Sequence, residues 1–279
     1  MGRRRVGTAT AAEVPGANSD AAQDPRFITA LARGIELLRA FKPQDHWLSH
    51  RELVARTALP PATVSRLTFT LTALGYLRHR PEAGEYALSP AVLGLGFSML
   101  SNFDIARIAR PTLQALAEKC QAAVSMGVRH ELEMVYVAHC RSTQRLLLGL
   151  DVGARLPFAR TSMGQAVLFS AQAAERELLF RRIEAAEGDA WPLVQKRLAR
   201  AQKQFHTRGF VTSEKEWDPA ISAAAVPVDL GDGRTLLGLS VGGPATWLQG
   251  SFLHDEVGPM LVQAAASIVS AIQAADWKD

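Results

Sequence analysis

Five groupings of side chains in this sequence invite a chemical reading. Arg160-Thr161-Ser162-Met163-Gly164 places a serine two residues before a glycine, as a nucleophile elbow does. That turn also needs glycine two residues ahead of the serine, because the strand-to-helix bend leaves no room for a side chain. Arg160 holds that place, so Ser162 reads as a helix-start residue facing a pocket, and no catalytic residue is assigned. Cys120, His130, His139 and Cys140 are metal-ligand types, yet no zinc spacing links them, and neither metal nor cofactor is expected. Gly231-Asp232-Gly233 and Gly238 with Gly242-Gly243 lack the Gly-Lys-Ser/Thr of a phosphate loop and the spacing of a dinucleotide fingerprint. They read as hairpin turns and a strand end. Glu214-Lys215-Glu216 reads as a solvated loop rather than an acid/base pair. The fifth grouping is Thr63, Ser65, Arg66 and Thr70, hydroxyls and a guanidinium on one stretch of helix. Those groups are suited to base edges and phosphate oxygens.

The elements around that fifth grouping decide what it can reach. Phe27, Leu31, Ile35, Leu38 and Phe41 follow helical spacing and predict one buried stripe. Lys42-Pro43-Gln44-Asp45 ends that helix, since proline disfavours helical backbone in the residue before it. Ser49-His50-Arg51-Glu52 fits a capping box and opens a short second helix. After Thr57-Ala58-Leu59-Pro60 comes a third helix with Pro61 in its first turn. Val64, Leu67, Leu71 and Leu74 form its inward stripe. Phe69 either packs under the second helix or touches a thymine methyl. Tyr76–His79 and Glu85–Leu88 flank Arg80-Pro81-Glu82-Ala83-Gly84 as a β-hairpin.

Three short helices and a hairpin make a winged helix-turn-helix. In that arrangement the third helix enters the major groove. The DNA-facing set is then Pro61, Thr63, Ser65, Arg66 and Thr70 on that helix and Ser49 at the second helix's N-terminus. Arg78, His79 and Arg80 on the wing complete it. Arg3, Arg4 and Arg5 add non-specific attraction.

Beyond the hairpin, strands are expected near 123–129, 134–139, 145–150, 210–212, 222–229 and 235–241. Helices are expected from Ser162, over 173–182 and 191–206, and at the C-terminus through Val257, Leu261, Ala264, Ile268 and Ile272. This is an α+β chain: residues 1–24 a flexible basic arm, 25–89 the winged unit, 90–102 a linker helix, and 103–279 an antiparallel sheet flanked by helices.

Charge and composition agree with that division. Residues 1–100 carry 12 Lys and Arg against 8 Asp and Glu, while the rest carry 19 of each. All the excess positive charge lies where a polyanion would be met. With 48% hydrophobic and 21% charged residues the chain is neither collagen-like nor largely disordered. No apolar run approaches the ~20 residues of a membrane helix. Two cysteines build no disulfide framework, so a reduced, cytoplasmic protein without membrane contact is expected.

The order of segments resembles the IclR family of bacterial transcriptional regulators. The stretch Phe27–Phe41 looks like that family's opening helix. Leu59-Pro60-Pro61-Ala62-Thr63-Val64-Ser65-Arg66-Leu67 and Leu71–Leu77 resemble its recognition helix and the approach to its wing. Val152–Pro157 with Thr161–Leu168 is similar to the segment lining its effector pocket. Arg208-Gly209-Phe210, Glu214, Glu216, Ala225–Val228 and Leu239–Val241 continue the likeness in order.

The resemblance implies a winged helix-turn-helix joined to a GAF-like ligand-binding domain. It further implies dimers or tetramers on palindromic double-stranded operators, and a small organic acid or aromatic compound as effector. Carried over residue by residue, the pocket falls on Leu156, Ser162, Met163, Gly164, Ser213, Ile221, Ala223, Ser240 and Gly242, with Arg145 a partner for a carboxylate. The first amides of the helix at Ser162 add anion affinity. Asp218–Ala223 departs from the family's Gly-Leu-Arg-Ser-like run, and Thr68-Phe69 from its aliphatic-then-polar pair. A small-molecule enzyme with an accessory helical domain is the rival reading, and it lacks a nucleophile–base pair. A protein-docking adaptor is the other.

Overall fold

A computed structural model of the chain describes residues 23–101, 103–142, 149–231 and 236–275. The expectations for residues 1–22, for Arg145 and for the strand at 145–148 lie outside these. So does the second half of the turn at 229–234. The chain divides into two compact units between Met99 and Leu100.

The first unit runs α1 (Thr29–Arg39), β1 (Leu48–Ser49), α2 (His50–Thr57), α3 (Pro61–Ala73), β2 (Leu77–Arg80), β3 (Glu85–Leu88) and α4 (Ala91–Ser101). Ser49 starts α2 through a complete capping box: its Oγ accepts from the Glu52 N–H, and Glu52 accepts from the Ser49 N–H at 2.8 Å. Pro61 stands at the first turn of α3, where no N–H is needed. The hairpin β2–β3 gains a third strand, β1, which pairs with β3 through Leu48 and Tyr86. Leu37, Leu48, Leu53, Leu59, Val64, Leu71 and Leu77 form the core.

Two expected stripes differ from this core. In α1 the buried residue is Leu37, while Leu31 and Ile35 are 60% and 50% exposed. In α3 the fully buried Thr68 takes an inward place, and Leu74 is exposed. Thr68 settles there because its hydroxyl donates to the Ser65 carbonyl at 3.0 Å.

The second unit runs α5 (Asp104–Cys120), β4 (Ala123–His130), β5 (Glu133–Cys140), β6 (Arg155–Pro157), α6 (Ser162–Ser170), α7 (Ala173–Glu187) and α8 (Trp191–Arg208). It continues with β7 (Val211–Glu214), β8 (Ile221–Asp229), β9 (Leu236–Pro244) and a C-terminal helix α9 over Phe252–Ala274, which begins as a π turn. Six strands form one sheet in the order β6-β5-β4-β9-β8-β7, every neighbour antiparallel. α5 and α9 close one face over Val124, Met126, Leu239 and Val241. α6 and α8 close the other over Met134, Tyr136, Val211 and Ala225.

Phe252–Ala274 is long and apolar enough to span a bilayer by length and composition. Its residues Leu253, Val257, Leu261, Ala264, Ile268 and Ile272 are instead buried in the first of these cores.

Small residues and a bulge give the sheet its α6 face. Ala223, Ala225, Gly238, Ser240 and Gly242 alternate onto that face from β8 and β9, and their size lets α6 lie close. β5 carries the bulge: Met126 pairs with Ala138 and Gly127 with Tyr136, leaving Val137 extra. One additional residue reverses the alternation beyond it. Met134 and Tyr136 therefore face α6, while Ala138 and Cys140 face α5 and α9.

Candidate functional site

Thr161 closes β6 and caps α6, its Oγ1 accepting from the Gly164 N–H at 3.4 Å and donating to the Pro157 carbonyl at 2.9 Å. Arg160, in the place an elbow glycine would need, is turned aside into an ion pair with Glu187. Gly164 must be glycine: a Cβ would stand 2.0 Å from the Phe158 carbonyl oxygen. That close approach sets the end of α6 against β6, and a cavity opens at the junction. Its volume is about 50 Å³, and it opens in part to solvent.

Leu156, Ser162, Met163, Ser213, Ile221, Ala223, Ser240 and Gly242, drawn from five elements, all line the cavity. Gly164 lies behind the wall, against Phe158. Four further residues line it: Thr161, from the stretch likened to the family's pocket segment, and Tyr136, Leu150 and Trp217, which were not foreseen. Tyr136 arrives through the bulge and Trp217 through the loop between β7 and β8, so neither follows from strand alternation alone. The lining is apolar at Leu150, Leu156, Met163, Trp217 and Ile221 and hydroxylic at Tyr136, Thr161, Ser162, Ser213 and Ser240. Among the described residues no charged side chain lines it. The N-terminus of α6 supplies backbone N–H groups at Ser162 and Met163, the positive end of a helix dipole.

The other chemical groupings resolve differently. Cys120 and Cys140 are buried and free, and burial pushes the Cys120 thiol up to about 11, so it stays protonated. Among the described residues no three His, Cys, Asp or Glu gather as a metal site. Glu214 and Glu216 are not a solvated loop. Glu214 pairs with His254 at 2.8 Å, and Glu216 pairs with Arg197 and Arg200.

In the first unit α3 presents Pro61, Ser65, Arg66, Phe69 and Thr70 outward. Phe69 is 76% exposed, which removes the possibility that it packs under α2. Thr70 returns its hydroxyl to the Arg66 carbonyl at 2.9 Å, and Thr63 is half-buried beside α1. Ser49 gives its hydroxyl proton to Glu52 at 2.7 Å, so its side chain is engaged within the cap.

On the wing, strand alternation sends Arg78 and Arg80 to one side, where their guanidinium carbons stand 5.2 and 3.9 Å from the Trp47 ring centre. His79 turns to the other side and stacks on Tyr86 at 4.5 Å. Trp47, which sequence reasoning passed over, thus holds two cations on one edge of the unit. An outward helix face with a guanidinium beside a cationic strand edge is an arrangement that meets a groove and its flanking phosphates.

Comparison with known proteins agrees with both halves. The description "IclR helix-turn-helix domain" matches residues 30–81, and "Bacterial transcriptional regulator IclR C-terminal" matches residues 97–270. The HTH-type transcriptional regulator TsaQ1/TsaQ2 of Comamonas testosteroni is 32% identical over 251 residues, covering 89% of this chain and 90% of the relative. An IclR family transcriptional regulator from Brucella abortus superposes with a TM-score of 0.81 at 38% identity, over 89% of this chain and 94% of that one. An IclR homolog from Microbacterium hydrocarbonoxydans, solved with 4-hydroxybenzoate, shares the fold at TM-score 0.67 and 20% identity, over 88% and 99% of the two chains. The two family descriptions between them cover both units, and the chain belongs to the IclR family of bacterial transcriptional regulators.

Proposed function

We propose that this regulator is a one-component sensor: it binds a palindromic operator through α3 and the wing, and a small organic acid or aromatic metabolite in the cavity beneath α6. The observation that carries the reading is the cavity itself. Apolar walls and five hydroxyls meet the amino end of a helix there, which suits a flat or compact apolar body ending in an anionic oxygen. The 4-hydroxybenzoate held by the Microbacterium homolog is a molecule of that description and supplies a first probe.

Two copies of α3 are needed to read two half-sites. Leu31, Ile35, Leu74, Leu93, Leu95 and Phe97 leave apolar surface on the first unit, which supports a homodimer or a tetramer built from dimers. The action is binding rather than turnover, in the cytoplasm where the DNA lies, and catabolic genes are the expected targets. An effector that prefers one dimer arrangement by about 1–3 kcal/mol changes operator affinity roughly 5–150-fold.

Fluorescence anisotropy on DNA from upstream of the protein's own gene and its neighbours, with random DNA as control, tests this across a salt series. Tight binding to one fragment with a steep salt slope, shifted by an organic acid, is the expected result. Equal, weak binding to every fragment, unchanged by any acid, would refute it.

A further inference from the structure

Two hydroxyls and an imidazole stand in a row across the sheet. The strand register sets Ser240 opposite Ser125 and Ser125 opposite His139. The bulge at Val137 brings Tyr136 to the same face, its ring 6.1 Å from that of His139 and within 14° of parallel. The Tyr136 hydroxyl stands within reach of the Ser125 and Ser240 hydroxyls. Ser125 Oγ lies 2.9 Å from His139 Nδ1, and Arg141 Nε donates to His139 Nε2 at 3.0 Å. Tyr136 and Ser240 line the cavity, so this chain of bonds begins at the ligand's side and ends at a guanidinium.

The guanidinium fixes the direction of every bond. It has donors only, so His139 Nε2 must be bare and the ring proton must sit on Nδ1. Nδ1–H then donates to Ser125, Ser125 donates to Tyr136, and the phenolic proton is left for Ser240 or for an occupant of the cavity. Burial pulls His139 below its ordinary range and pushes Tyr136 above its own, which holds both in the neutral forms this order requires. Arg141 also reaches the loop that walls the cavity. Its Nη2 donates to the Leu150 carbonyl at 2.8 Å and meets Asp151 at 3.0 Å. That loop is bonded to the backbone of Tyr136 as well, through Gly153 N–H at 2.8 Å and the Ala154 carbonyl at 2.9 Å.

We infer that Tyr136 is the proton-donating contact for the effector, that Ser125, His139 and Arg141 are positioning residues holding it in that role, and that the group it reads is a carboxylate. The inference rests on the cavity being the effector site. A carboxylate takes the phenolic proton on a fully charged oxygen, a stronger hydrogen bond than the neutral carbonyl of a primary amide makes in the same place.

Two measurements test it on the full-length protein. The first is the ¹⁵N spectrum of the His139 imidazole. Wild type shows the proton on Nδ1, the less usual neutral form. Arg141→Met moves it to Nε2 and speeds amide exchange at Val152 and Gly153. A proton on Nε2 in wild type overturns the chain. The second is calorimetric binding of benzoate, phenylacetate and 4-hydroxybenzoate, each beside its primary amide. Wild type prefers the acids, roughly 10–100-fold, the range of a hydrogen bond to a charged group, and Tyr136→Phe removes that preference. No binding of any acid, or equal binding of acid and amide, overturns the carboxylate assignment. A ligand lost in Ser162→Trp but unaffected in Tyr136→Phe overturns the role of Tyr136 and leaves the cavity reading standing. One that both variants still bind overturns the cavity reading itself.

Discussion

At the scale of single residues, Arg66 and Phe69 share the outward side of α3, three positions apart. A guanidinium can hold guanine by two hydrogen bonds, and a bare phenyl ring has only a thymine methyl to meet in a groove. Arg66→Ala should lower affinity for the specific operator by about 1–3 kcal/mol, roughly 5–150-fold, while random-DNA binding falls far less. Replacing operator thymines one at a time by uracil, which lacks the methyl, should weaken wild type at one or two positions and leave Phe69→Ala indifferent there. A wild type insensitive to every uracil would remove Phe69 from base reading. The hydroxyls and the arginine of this face were legible in the sequence because a helix repeats every 3.6 residues. The orientation of Phe69 was not. One residue away, Thr68 takes the buried place that apolarity alone would have given to phenylalanine, and a back-bond to Ser65 is what allows it.

At the scale of elements, the wing and the second helix carry separable loads. Arg78 and Arg80 rest against Trp47, and each should contribute one released counterion if it meets a phosphate. Arg80→Ala should reduce the salt slope by about 1 and weaken binding to all sequences alike. Trp47→Ala should keep the slope and lower affinity, since the charges remain while their support is gone.

The second helix is held from below. Arg56 bonds Asp45 and donates to the Ala40 carbonyl at 3.0 Å, tying α2 to the segment after α1. The Arg56 guanidinium holds the Asp45 carboxyl down to about 2. A carboxyl depressed in the folded chain stabilises it above its unfolded pKa of about 3.9, and that stability is lost as pH falls through the folded value. Asp45→Asn should therefore lower Tm at pH 7, with its gap from wild type closing between about pH 4 and pH 2 in thermal unfolding scans.

The capping box at Ser49 and the hairpin were readable at this scale, because both are local. The stripe expected for α1, of which Leu38 and Phe41 pack against the core while Leu31 and Ile35 do not, shows the limit. Leu31 and Ile35 have helical spacing, but the core of their own unit buries Leu37 instead. Tyr136 and Trp217 were illegible for a related reason: the cavity is assembled from distant segments, and a single bulge overrules the period-two pattern of β5.

At the scale of the whole molecule, the apolar surface on α1 and α4 is what the proposed dimer would bury. Leu93→Glu together with Phe97→Glu should shift sedimentation toward the monomer and lower operator affinity, while the isolated fold keeps its circular dichroism. An unchanged sedimentation coefficient would place the dimer contact elsewhere. Ligand response then depends on how the cavity is filled, and there Met163 has an unusual seat. A Cβ on Gly238 would stand 2.3 Å from its Cγ, and one on Gly127 would stand 2.8 Å from its sulfur. Two glycines on neighbouring strands thus give a long, adaptable thioether its berth at the edge of the cavity. Any side chain gained at either glycine must displace Met163 and so reshape the cavity wall it forms. Ligand range in descendants of this gene can accordingly be tuned by mutations that never touch the effector, a route to new inducers that leaves every polar contact in place.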